Sequence, residues 1–205
     1  MNNVKKSIGW CDFTFNPITG CKRGCSYCYA RRIHERFYKT PFTDIVFHKE
    51  RLFDKMPKEP SNIFVGSMSD CQYWNDSQWY DVLGVCKQNY QHTFMFLSKC
   101  PTAYHDVKMP SNCMQGLTLT SIDSKDRLTM IDGLFNYASR PYLSIEPLLG
   151  NVVDAGVWYD LLDLIIVGAM TGVGALKPRL EWIQSIKDNV PADKIYWKSN
   201  IKKYL

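Results

Sequence analysis

The sequence predicts an α/β chain built as a compact or partly open (βα) barrel of six to eight parallel strands. Short apolar, β-rich runs recur along the chain with helical periodicities between several of them, the alternation that pairs parallel strands through crossover helices. Runs such as Leu164-Ile165-Ile166-Val167 are apolar at every position, as a strand covered on both faces should be. A complete eightfold barrel takes roughly 250 residues, so a chain of 205 residues requires short helices or incomplete closure. A doubly wound open sheet is the competing arrangement.

In chain order, the strand-like runs lie near 12–16, 44–47, 62–66, 93–97, 116–120, 142–145, 164–168 and 195–197. A helical stretch begins near Ala30. A second covers 75–90, with Trp79, Leu83, Cys86 and Tyr90 near one face behind a cap at Asn75, Asp76 or Ser77. A third runs from Ser124 to Ala138, with the stripe Leu128, Ile131, Leu134, Phe135 and Ala138. Leu180, Ile183 and Ile186 mark a fourth. There is no internal repeat or low-complexity tract, and the prolines are spread between elements as turn markers, so residues 1–205 read as one domain.

Composition narrows the class. No apolar run approaches the roughly 20 residues needed to cross a bilayer, and the opening MNNVKKSIGW has no secretory apolar core, which points to the cytoplasm. In that reducing setting, clustered thiols favour metal over disulfides. Of the eight cysteines, Cys21, Cys25 and Cys28 lie together, while Cys11, Cys71, Cys86, Cys100 and Cys113 are scattered. Cys86, on an apolar helix face, reads as core. The net charge of +5 is modest, but the stretch from Lys22 to Lys39 sets Lys22, Arg23, Arg31, Arg32, Arg36 and Lys39 against Glu35 alone, with Tyr27, Tyr29, Phe37 and Tyr38 interleaved. Such a face suits phosphates through charge and bases through stacking; a solvated helix face is the plainer reading.

Both architectures place ligands at the carboxyl ends of the strands. Polar residues recur there: Ser67, Ser69 and Asp70, then Ser98 and Lys99, then Thr118, Thr120, Ser121 and Asp123, then Ser144 and Glu146. The segment Gly20-Cys21-Lys22-Arg23-Gly24-Cys25-Ser26-Tyr27-Cys28-Tyr29 reads as a βα loop whose glycines let three thiolates converge on one inorganic cluster. Three cysteines leave one iron of a cuboidal cluster open to an exogenous ligand. A zinc site is the alternative, closed by Cys11, Cys71, Cys100, Cys113, His34 or His48.

The Cys-x3-Cys-x2-Cys spacing, with aromatic Tyr27 before the last cysteine, resembles the signature of the radical S-adenosylmethionine (SAM) superfamily, whose fold is a (βα) barrel. Further segments resemble a small branch of it found among phage and prophage proteins: Trp10, then Asn16-Pro17-Ile18-Thr19-Gly20-Cys21, His48-Lys49-Glu50-Arg51-Leu52, Phe64-Val65-Gly66-Ser67-Met68-Ser69-Asp70, Leu97-Ser98-Lys99-Cys100-Pro101, Leu143-Ser144-Ile145-Glu146-Pro147-Leu148-Leu149-Gly150 and Ile165-Ile166-Val167-Gly168. The chain departs from that branch at Thr118-Leu119-Thr120-Ser121, at Cys100 and at Gly168-Ala169-Met170-Thr171-Gly172.

The resemblance implies a [4Fe-4S] cluster on Cys21, Cys25 and Cys28, with SAM chelating the open iron and Tyr27 near the adenine. An external electron donor reduces such a cluster, SAM is cleaved, and a 5'-deoxyadenosyl radical abstracts hydrogen from the substrate. A more distant likeness to the spore photoproduct lyase family implies that Ser67 or Ser98 meets the ribose or amino-acid part of SAM and Lys99 its carboxylate. Tyr29, Asp70 and Thr118 complete the expected cofactor-facing set. Glu146 and Asp123 are the catalytic candidates. The substrate expected from the basic aromatic stretch is a nucleoside, nucleotide or nucleic-acid base; the alternative function is a zinc-stabilised nucleic-acid-binding or regulatory module without catalysis.

Overall fold

The computed structural model describes residues 1–121, 124–153, 159–172 and 174–205. These divide into two compact units, Met1–Ser98 with Ala103–Met114 and Lys99–Thr102 with Gln115–Leu205.

The first unit holds β1 (Asn2–Asn3), β2 (Phe13–Phe15), β3 (Ile18–Thr19), α1 (Tyr29–Phe37), β4 (Val46–Phe47), β5 (Asn62–Val65), α2 (Asp76–Gln88) and β6 (Thr93–Ser98). Strands β2, β5 and β6 pair in parallel, with Phe13 opposite Ile63 and Ile63 opposite Phe94, and β1 adds an antiparallel edge to β2. The run at 44–47, expected among the parallel strands, instead forms the short β4, antiparallel to β3. Val46 is exposed there, so its side chain is not covered as a parallel-sheet strand requires.

Helix α2 starts at a reciprocal capping box: Asn75 Oδ1 accepts the Gln78 N–H at 3.0 Å, and Gln78 Oε1 accepts the Asn75 N–H at 3.0 Å. Its buried face is Trp79, Val82 and Cys86, with the Trp79 ring centroid 5.4 Å from that of Phe96 on β6. Cys86 is core, as its position on the apolar face suggested. Tyr90, expected on that face, lies beyond the helix end at Gln88 and is 80% exposed.

The second unit holds most of β7 (Cys113–Thr118), then α3 (Ser124–Tyr137), β8 (Pro141–Ile145), β9 (Leu164–Val167), α4 (Leu180–Asn189) and β10 (Ile195–Trp197). Strands β7, β8, β9 and β10 are parallel in that order. Seven strands in the two units therefore pair in parallel, within the expected six to eight. Gly116 is fixed by packing, because a Cβ there would stand 2.2 Å from the buried Tyr142 ring on β8. Strand β7 starts three residues before the apolar run read from the sequence and ends at Thr118; beyond it, the Thr120 carbonyl accepts the Leu149 N–H at 2.9 Å. Ile131 and Leu134 bury the face of α3, and Leu128 lies outside the described side chains. Ile183 and Ile186 bury the face of α4, whereas Leu180 opens that helix 69% exposed.

Candidate functional site

The cysteine loop leaves β3 through Gly20, whose φ of +100° and packing both demand glycine: a Cβ would sit 2.0 Å from the Asp44 carbonyl oxygen. Two backbone bonds pin the loop's start, Gly20 N–H to Met68 O at 2.9 Å and Cys21 N–H to Phe42 O at 2.8 Å. At the far end, Cys28 is the N-cap of α1, its Sγ accepting the Arg31 N–H at 3.4 Å. The Arg23 N–H donates to Cys21 Sγ at 3.5 Å, so two of the three sulfurs already receive a backbone N–H. All three thiols are half-buried. Burial pushes the Cys21 thiol up, the nearby Asp70 carboxylate and the Cys28 and Cys25 thiols push the same way, and the Arg23 N–H opposes them.

Around this loop the first unit places most of the expected cofactor-facing residues. Tyr29, the first residue of α1, donates its hydroxyl to the Ser67 carbonyl at 2.7 Å, fastening the helix start to the end of β5. The Ser67 hydroxyl donates to Asn16 Oδ1 at 3.1 Å, and the same oxygen accepts the Met68 N–H at 3.2 Å. Asn16 thus organises the turn after β5. The sequence signal for it was its place in Asn16-Pro17-Ile18-Thr19-Gly20-Cys21. Asp70 is buried and accepts the Ser98 hydroxyl at 2.6 Å and the Gln72 N–H at 3.2 Å. Ser98, the last residue of β6, and Asp70, in the loop that follows β5, are therefore brought together as a buried pair. Tyr27 is half-buried, and its carbonyl accepts from Arg32.

The second unit holds the others. Lys99 follows β6 and is half-buried. Thr118, at the end of β7, is buried opposite Ser144. Asp123 lies outside the described residues. Glu146 follows β8 and accepts from Lys198 Nζ, which follows β10. Sequence reasoning missed Lys198; its only local signal is that it directly follows a short apolar run, as Glu146 does.

Of the residues proposed for a fourth zinc ligand, the two histidines are engaged elsewhere. His34 Nε2 is 2.8 Å from the Thr40 carbonyl, and His48 Nε2 is 2.9 Å from Thr19 Oγ1. Cys71 is fully buried, its thiol pushed well up by burial and further by Asp70. None of the eight cysteines is in a disulfide.

Three soft thiols on one loop, two of them accepting backbone N–H bonds, are the donor chemistry of an iron-sulfur cluster. Among the described residues, however, no three His, Cys, Asp or Glu side chains stand in metal-holding geometry. The residues fit the cluster in kind and in chain order.

The fold is similar to that of a cysteine-to-serine mutant of spore photoproduct lyase, whose structure it matches at a TM-score of 0.52 and 12% identity. That match covers 82% of this chain and 58% of the lyase chain, so the protein spans less than two thirds of that enzyme's length. A family model of proteins of unknown function (DUF5131) matches residues 5–200, and the chain belongs to that family. No curated protein matches it. Among the described residues, no helix is long and apolar enough to cross a membrane.

Proposed function

We propose that this protein is a radical SAM enzyme that holds a [4Fe-4S] cluster on Cys21, Cys25 and Cys28 and acts on a nucleoside, nucleotide or nucleic-acid base. The observation that carries the reading is the Cys-x3-Cys-x2-Cys loop, two of whose sulfurs accept backbone N–H bonds, in a chain with the fold of a radical SAM lyase. When bound, the cluster supplies the electron that cleaves SAM reductively, after reduction by an external donor. Gly24, with φ of +76° and only the Arg31 guanidinium near its missing Cβ, gives the loop room to close its thiols round the cluster.

The chain's own residues would do the rest. Tyr29 and Ser67 hold the start of α1 against the β5 turn, so the loop between is anchored at both ends. Asp70 and Ser98 hold each other in a buried hydrogen bond and would offer SAM fixed dipoles. Support for a nucleic-acid substrate comes from α1 and its flanks, where Arg32, Arg36 and Lys39 are exposed with Phe37 at 70% and Tyr38 at 54% exposure. Charge with exposed aromatic rings is the composition of a single-strand binding face.

The test is anaerobic reconstitution followed by iron and sulfide analysis, then incubation of the reduced protein with SAM. About four irons and four sulfides per chain and release of 5'-deoxyadenosine are the expected results. One tightly held zinc per chain would instead make it a zinc-stabilised binding module. A full cluster without 5'-deoxyadenosine under several reductants would make it a binding protein.

A further inference from the structure

Three parallel strands of the second unit end at one level. Ile145 pairs with Val167, and Val167 pairs with Trp197, so the next residues, Glu146, Gly168 and Lys198, form a row across the ends of β8, β9 and β10. The row is held by the backbone, with Gly168 N–H donating to Ile145 O at 3.1 Å and Lys198 N–H to Val167 O at 3.0 Å. Neighbouring strands lie about 4.8 Å apart, so the two outer side chains must lean over the middle position to meet. They do so because it is glycine: a Cβ at Gly168 would stand 3.0 Å from Glu146 Cδ and 3.0 Å from Lys198 Cδ. Lys198 Nζ donates to Glu146 Oε1 across it.

The pair is not needed to join the strands, which those backbone bonds already join, and a partly buried ion pair adds little net stability. Its side chains retain 27% exposure for Glu146 and 14% for Lys198, so solvent reaches both. The pair presents a hydrogen-bond acceptor beside a donor, at the carboxyl rim where α/β folds receive ligands.

We propose that Glu146 and Lys198 form a subsite for a cis-amide edge, an N–H beside a C=O in one ring, as a pyrimidine such as uracil or thymine offers. The carboxylate accepts the ring N–H and the ammonium donates to the adjacent carbonyl. A neutral edge of this kind spans the two groups while leaving their own contact in place, which an ammonium or carboxylate ligand would disrupt. The proposal deepens, and rests on, the nucleobase substrate of the proposed function.

The experiment needs neither cluster nor SAM, so its failure is distinct from failure of radical chemistry. Uridine is titrated into the full chain at millimolar concentration, with binding followed by NMR, against N3-methyluridine and against an amino-acid zwitterion, glycine. Uridine should bind, N3-methyluridine should bind about tenfold or more weakly, and glycine should not compete. Glu146→Gln and Lys198→Met should each weaken uridine binding about tenfold or more while circular dichroism shows the fold retained. Should a variant unfold, the comparison of uridine with N3-methyluridine on the unaltered protein decides. Equal binding of the two nucleosides, displacement by glycine, or no uridine binding would overturn the assignment.

Discussion

Gly20→Ala tests whether the cysteine loop is held as described. The substitution forces a side chain onto a backbone at φ +100° and drives its Cβ to 2.0 Å from the Asp44 carbonyl oxygen, with the Asp44 carbon at 2.8 Å and Ile45 Cα at 3.2 Å. The left-handed backbone costs an L-residue roughly 1–2 kcal/mol, and overpacking against backbone that cannot rotate away costs about 1–3 kcal/mol. The expected destabilisation is therefore about 2–5 kcal/mol, enough to weaken many domains of this size severely. The strain falls where Gly20 N–H meets Met68 O and Cys21 N–H meets Phe42 O, so iron retention should fall along with stability. Urea unfolding gives the first quantity and iron per chain after reconstitution the second. A loss below about 0.5 kcal/mol, the range of an ordinary surface substitution, would refute both the packing and its link to the cluster.

Further tests address single links. Cys25→Ala should abolish cluster assembly, read as iron per chain, because two thiolates retain a cuboidal centre poorly; full iron content would contradict the assignment. Asn75→Ala removes one side of the capping box and should cost about 1 kcal/mol in urea unfolding. Burial pushes the Cys71 and Cys86 thiols well above the ordinary value of 9.0, so they stay protonated in the folded chain when the unfolded chain has begun to lose those protons. The unfolded state then binds fewer protons, and stability, fully present below about pH 9, should fall as pH rises beyond it by about 1.4 kcal/mol per unit per thiol. Urea midpoints from pH 8 to 10.5 measure this, and a flat profile would show that the thiols are not held neutral.

Much of the fold was legible because its signals are local. The buried parallel strands announce themselves as apolar runs, and the start of α2 as Asn75 followed three residues later by Gln78. The errors fall where local pattern is overruled. Ile45-Val46-Phe47 has the composition of a buried strand, yet the chain turns it back antiparallel on β3. Tyr90 keeps the spacing of the α2 face, but the helix has already stopped at Gln88, where the Asn89 N–H bonds back to Val85 O and Cys86 O at 3.2 Å.

The candidate site divides the same way. The cysteine loop is contiguous in sequence, so its chemistry can be read from spacing. Ser98 and Asp70 were both visible as strand-end polar residues, but that one donates to the other depends on β5 and β6 lying side by side in register. Lys198 is the sharpest case. In sequence it belongs to a lysine-rich terminus with Lys202 and Lys203, where a single lysine reads as solvated. Only the alignment of Ile145, Val167 and Trp197 at one level sets it across Gly168 from a carboxylate 52 residues earlier. Register between strands distant in sequence is the information a single chain's pattern does not carry, and rim sites of α/β folds are assembled from it.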